Sequence, residues 1–112
     1  MSFAEVEART NFVVERLVSS GDDSRSVVRD LAKAWPDTRA LALVFALTDA
    51  AARIETLFDS ETESRAAART GYRLAALLAA DVYAIEASGI APVGVSDLQR
   101  YWHEVDPYFL TL

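Results

Sequence analysis

The sequence predicts an all-α protein: a helical bundle of four main helices plus a short C-terminal helix, built around a long antiparallel helical hairpin. Three observations carry this reading. Alanine and leucine dominate, with arginine, aspartate and glutamate around them, a mixture of good helix formers. Apolar residues recur at three- and four-residue spacing over long windows. Only 4 glycines and 3 prolines interrupt the chain, and several fall where those periodic windows end. Hydrophobic residues make up 52% of the chain, too many for a disordered one. Its 112 residues suit one helical bundle domain over 1–112, with a modest core.

The first helix is expected over about residues 3–19. Ser2 can cap it, with Glu5 completing a capping box. Phe3, Val6, Thr10, Val13, Val14, Leu17 and Val18 share one face, and Ser20 and Gly21 supply the stop. A short second helix follows over about residues 24–35, capped by Asp22 or Asp23, with Val27, Val28, Leu31 and Trp35 as its stripe. Pro36 ends it, because the residue before a proline is pushed out of the helical region.

The third helix begins after Asp37 or Thr38 and runs to about residue 58, roughly 30 Å. Leu43, Leu47, Ala50, Ile54, Leu57 and Phe58 form its seam, while Leu41, Val44 and Phe45 make its first half apolar nearly all round. That half is expected to sit centrally. The fourth helix runs from a capping box of Ser60 and Glu63 to about residue 87, roughly 40 Å. Its face is Ala67, Leu74, Leu77, Leu78, Val82 and Ile85, with alanines that admit a close neighbour. Gly71 inside it reads as packing room opposite a large side chain, and Ser88 and Gly89 as its stop. A link over 90–95 leads to a short fifth helix over about 97–104, capped by Ser96 and Gln99. Pro107 and an apolar tail, 108–112, close the sequence.

Composition bounds the function. The absence of cysteine removes disulfides and thiolate chemistry, and the single histidine, His103, cannot build a multi-histidine site within one chain. No cofactor or metal is expected. The net charge of -6, from 17 acidic and 11 basic residues, opposes non-specific nucleic-acid binding, which needs a cationic surface. The first residues are acidic and lack an apolar run, unlike a signal peptide. The longest apolar runs, 41–47 and 74–80, fall far short of the roughly 20 residues that span a bilayer. The expectation is a cytoplasmic chain without a membrane partner.

Five polar or aromatic residues form the candidate ligand-binding set: Asp49, Asp81, Arg73, Tyr101 and Trp102. Asp81 falls close to the apolar face of the fourth helix, and Asp49 lies beside Ala50 within reach of Phe45. A buried carboxylate needs a partner or a raised pKa. Such carboxylates suit a cationic ligand, a metal or acid–base work; they serve equally as acceptors at a helix interface. By their levels along the hairpin, the two aspartates are not expected to pair within one chain. His103, with Glu104 and Asp106 beside it, invites a metal or general-base reading. Its place near a helix C-terminus has a plain dipole explanation. No residue is assigned a catalytic role; Asp49, Asp81 and His103 are the nearest candidates. Arg25, Arg29 and Lys33, and Arg65, Arg69 and Arg73, form two basic stripes at four-residue spacing. They read as solvated surface, with pairs such as Glu61–Arg65 or Asp30–Lys33, or as a surface for an acidic partner or anionic ligand.

A hairpin of this length outreaches what the first two helices can cover. A homodimer is the simplest completion, with Leu43, Leu47, Ile54, Leu74, Leu78, Tyr108 and Phe109 near its interface. The expected function is a non-catalytic protein-interaction or accessory/regulatory subunit. The alternatives are a small-ligand-binding or enzymatic bundle using buried carboxylates, and a DNA-binding transcriptional regulator.

Overall fold

The computed structural model describes residues 2–19, 24–57 and 62–112, with side chains from residue 65 onward in the last segment. Among the described residues the fold is an all-α bundle of six helices: α1 (Phe3–Val18), α2 (Val27–Ala34), α3 (Ala40–Leu57), α4 (Thr62–Ala87), α5 (Val95–Glu104) and α6 (Tyr108–Thr111). It is packed mainly through α3 against α4. Buried residues from all six helices form one hydrophobic cluster, in which Trp102, Phe109, Leu31, Leu43, Leu47 and Leu78 are fully enclosed. No helix is long and apolar enough to cross a membrane, among the described residues.

Helix α1 starts as its sequence predicts. The Ser2 hydroxyl accepts the Glu5 amide at 3.2 Å, which satisfies one of the helix's unpaired first donors. Val13 and Leu17 enter the core, and Thr10 is buried with them. Phe12 meets Trp35 edge-on, with centroids 5.6 Å apart, and Arg16 bonds Asp30 at 2.5 Å. These two contacts tie α1 to α2. The stop expected at Ser20 and Gly21, and the caps expected at Asp22 and Asp23, lie outside the described residues. So do Phe58 and the Ser60–Glu63 capping box.

Helix α2 is shorter than the sequence suggests. It begins at Val27 rather than near residue 24, because residues 24–26 form a tight turn. The Ser26 hydroxyl is spent on the Asp30 carboxylate at 2.9 Å rather than on a backbone amide. The helix ends where Pro36 requires, with Trp35 at φ -129° and ψ 66°, outside the helical region.

The start of α3 has a cap that no local pattern reveals. The sequence places the start after Asp37 or Thr38; the helix begins at Ala40, whose amide donates to the Val93 carbonyl at 2.9 Å. The Val95 amide returns the bond to the Thr38 carbonyl at 2.9 Å, and Arg39 and Gly94 form an isolated antiparallel bridge. The connection after α4 therefore supplies both ends of a two-bond clasp with the connection before α3. Leu43, Ala46, Leu47, Ala50, Ala51 and Ile54 face inward. The first half of α3 is not enclosed all round as expected: Leu41 and Phe45 stay 66% and 52% exposed.

Helix α4 turns Ala68, Leu74, Ala75, Leu78, Asp81 and Ile85 inward. Leu77, expected on that face, lies at its exposed edge, about 60° round the helix from Leu74 and about 100° from Leu78. Its end is a Schellman closure. Gly89 takes a φ of 107°, its amide reaches the Glu86 carbonyl at 3.0 Å, and the Ile90 amide reaches Ile85 at 3.5 Å. The following Ala91–Pro92 peptide bond is cis.

Helix α5 begins two residues earlier than predicted, and Ser96–Gln99 is not its capping box. Gly94 occupies the cap, and the Asp97 carboxylate reaches back to the Gly94 amide at 2.9 Å. The tail expected after Pro107 coils into the single turn of α6, where Asp106 accepts the Tyr108 amide at 3.1 Å. Phe109 is thereby delivered onto Trp102, with ring centroids 5.4 Å apart.

Gly71 sets how closely α3 and α4 approach. A Cβ at this position would lie 2.9 Å from the Ala51 Cβ and 2.9 Å from Leu17 Cδ1. The facing residue is thus a small alanine on α3, with the large side chain contributed by α1. Gly71→Ala gains up to about 1 kcal/mol of helix propensity but forces an overpacked contact, which costs about 1–3 kcal/mol. A net loss of about 1 kcal/mol is expected in urea unfolding, and a larger loss for Gly71→Leu. A more stable Gly71→Ala protein would refute the close approach.

Candidate functional site

The predicted site residues separate into two places. Asp81, Tyr101 and Trp102 come together where α4 meets α5. Asp49 belongs to a network between α1 and α3, and Arg73 is exposed on α4.

Trp102 lies on the inner face of α5 because Val95, Leu98 and Trp102 repeat at helical spacing. Its ring is buried, and its Nε1–H donates to Asp81 Oδ2 at 3.0 Å. Asp81 is buried on the inward stripe of α4, so this bond satisfies an indole donor and a carboxylate acceptor across the helix pair. Burial pushes the Asp81 carboxyl above its ordinary range; the Trp102 bond pulls the other way, and the charge of Asp106 adds to the rise. Tyr101 is also shifted upward, by burial first and then by the charges of Asp81 and Asp106. Asp106 thus joins this cluster, a role that its place near the tail did not suggest.

Asp49 is a structural acceptor in the geometry found. Thr10 Oγ1 donates to Asp49 Oδ2 at 2.9 Å, and Arg53 reaches the same oxygen at 3.2 Å from one turn later. Arg53 also grips Glu7 with two bonds, at 3.0 and 2.5 Å. The hydrogen bond from Arg53 holds the Glu7 carboxyl below its ordinary range, against a smaller effect of burial. Asp30 is lowered too: burial alone would raise it, but Arg16, Ser26 and Arg29 together outweigh burial. Asp30, read from sequence as a partner of Lys33, is bonded instead to Arg16. The Asp49–Arg53 pair was legible as a four-residue spacing; Thr10 and Glu7 were not, because they arrive from another helix.

His103 stands in the last turn of α5, and its side chain, with those of Glu104 and Asp106, is exposed. No group of three or more histidine or acidic residues is placed to hold a metal, among the described residues. The histidine instead lines a cleft with Arg29, Lys33, Gln99, Arg100, Trp102 and Leu110. The basic stripe of α2 thereby gains a further cation, Arg100, and an imidazole from α5. The second stripe takes a different setting: Arg65 and Arg69 flank Tyr72, whose hydroxyl donates to Glu55 at 3.2 Å.

Six of the residues expected near a dimer interface (Leu43, Leu47, Ile54, Leu74, Leu78 and Phe109) lie in the core of a single chain. Their apolar surface is already covered by helices of the same copy. Tyr108 remains partly exposed, at 43%. Other apolar surface stays open, including a face where α1 and α3 begin. Val6, Arg9, Arg39, Leu41, Ala42 and Phe45 line a cleft of about 440 Å³ there.

Comparison with protein families, with curated proteins and with solved structures finds no match to this chain. The class defined by the fold is an all-α bundle, and its working surfaces are those of its own geometry.

The upward shift of Asp81 has a definite sign. An acid whose folded pKa exceeds its unfolded value binds its proton more tightly in the folded state. Its stabilising contribution is full below the ordinary aspartate range and is lost as pH rises through the raised folded pKa. Asp81→Asn keeps an acceptor for the indole and removes the charge. Its stability relative to wild type should therefore improve between about pH 4 and pH 7. Asp81→Ala strands the Trp102 donor and should cost about 1–3 kcal/mol. Urea unfolding across that pH range checks both; parallel pH profiles for wild type and Asp81→Asn would contradict the assignment.

Proposed function

We propose that this chain is a non-catalytic, cytoplasmic accessory or regulatory subunit that works through protein contacts, and that it pairs with a second copy of itself through the face where α1 and α3 begin. The observation that carries this reading is the open apolar cleft there. Leu41 and Phe45 stand 66% and 52% exposed at its edge, and Phe3, in the first turn of α1, is 79% exposed. Large apolar side chains gathered on one face gain about 1.5–3 kcal/mol each when fully buried. An aromatic and aliphatic centre with a charged rim is the composition of a protein interface.

A second copy fits this face by its charge. Arg39 lines the cleft, and Glu5, the neighbour of Val6 in α1, is exposed with it, so both signs are available near this surface. In a twofold pairing, Arg39 of each copy meets an acid of the other, which a self-complementary interface requires. The frame that presents the face is the antiparallel α3–α4 hairpin read from the sequence. Tyr72 against Glu55 at one end and Ala40 against Val93 at the other support it.

Sedimentation equilibrium tests the pairing. The chain is expected to be dimeric at about 10 μM. Replacing Leu41 and Phe45 together by Asp should yield a monomer with unchanged far-UV circular dichroism, because both side chains lie outside the core. A wild-type chain that remains monomeric up to about 100 μM would refute the pairing. A dimer that survives both substitutions would refute this face.

A further inference from the structure

The cleft between α2, α5 and the C-terminal turn combines charge, shape and an apolar wall. It measures about 400 Å³ and is lined by Arg29, Lys33, Gln99, Arg100, Trp102, His103 and Leu110. That volume lies within the range of small-molecule sites, roughly 300–1,000 Å³. Three permanent cations and an imidazole meet there in a chain whose net charge is -6. Charge of one sign is therefore collected in this one concavity against the balance of the molecule.

The acids beside the cleft are largely spent elsewhere. Asp30 lies 3.8 Å from Arg29 Nε but is bonded to Arg16 at 2.5 Å and to Ser26 at 2.9 Å. Asp97 lies 3.9 Å from Arg100 and is bonded to the Gly94 amide at 2.9 Å. Arg29 reaches the backbone oxygens of Leu110 and Leu112 at 3.5 and 3.4 Å, both long contacts. No hydrogen bond or ion pair to a described residue engages the Lys33 ammonium or the His103 ring.

We propose that this cleft binds a small phosphate monoester with an apolar organic part. The phosphate sits among Lys33, Arg100, His103 and Arg29, with the Gln99 amide as a neutral donor. The apolar part lies against Leu110, which is only partly buried. A dianion is favoured over a carboxylate because several cations converge, and charge-assisted bonds are the stronger ones. A nucleic acid is disfavoured, since a long polyanion would meet the acidic remainder of the surface. The site shares no lining residue with the α1–α3 cleft and does not rest on the pairing proposed there.

Phenyl phosphate is the probe. The isotope-labelled full chain is titrated at low salt while the Trp102 indole N–H and the His103 ring are followed by nuclear magnetic resonance. Saturable shifts at both residues are expected, with inorganic phosphate and phenol each binding more weakly. Lys33→Ala and Arg100→Ala should each weaken phenyl phosphate about tenfold, with unchanged circular dichroism. Arg69→Ala, on the other basic stripe, should leave the affinity unchanged. No saturation by about 10 mM would overturn the proposal. So would equal affinity across Lys33→Ala, Arg100→Ala and wild type, which marks diffuse attraction. Binding to phosphatidic acid vesicles without a response to phenyl phosphate would place the cations at a membrane surface and overturn it as well.

Discussion

The close approach of α3 and α4 at Gly71 is the constraint on which the rest of the bundle depends. Only a hydrogen at this position leaves room for both the Ala51 methyl and the Leu17 side chain. Three helices therefore meet at one point, and α1 is held against the α3–α4 pair rather than beside one of them. Polar contacts then fix how α1 lies. Thr10, Asp49, Arg53 and Glu7 form a chain of bonds along the α1–α3 seam, where each is part-exposed or paired. Packing supplies the depth of the contact and these bonds its direction, because apolar contact alone is non-directional.

A second anchor works at the other end of the molecule. The clasp between Thr38–Ala40 and Val93–Val95 holds the connections before α3 and after α4 together. It places α5 so that Trp102 reaches Asp81, and Phe109 closes over Trp102 from the tail. A carboxylate in this setting is expensive when charged and valuable as an acceptor. Its presence ties the α4–α5 junction to a directional bond that leucine could not make. The arrangement also explains why the cationic cleft exists. Once α5 is seated by Trp102, the next residues outward, Gln99, Arg100 and His103, face the stripe of Arg29 and Lys33 on α2.

Much of this fold was legible from residue spacing. The existence and type of the main helices follow from apolar periodicity, as does the inward stripe of Leu74, Leu78 and Ile85. Ser2, Pro36 and Gly89 end or begin helices by local chemistry alone. The misreadings have a common cause, which is that the missing information comes from distant residues. The cap of α3 is the carbonyl of Val93, and the start of α5 is drawn back by an acid that bonds Gly94. Asp81 was marked out by its apolar flanks, but its partner, Trp102, lies on another helix. His103 and the α2 stripe were each visible, yet nothing in their separation along the chain brings them to one cleft. The expected interface residues make a related point. An apolar seam signals burial without saying whether the same copy or another provides the cover, and here Leu43, Leu47 and Ile54 are covered within the chain.

Among the described residues, the face where α1 and α3 begin leaves Leu41 and Phe45 uncovered beside a cleft, and the account rests on that face as the contact surface. A photo-reactive benzoyl-phenylalanine in place of Phe45 tests this most directly. On irradiation at micromolar concentration, the account predicts a covalent dimer whose cross-link maps to the first two turns of α1 or the start of α3 in a second copy. Cross-links confined to a single chain, or mapping to α4 of a second copy, would contradict it.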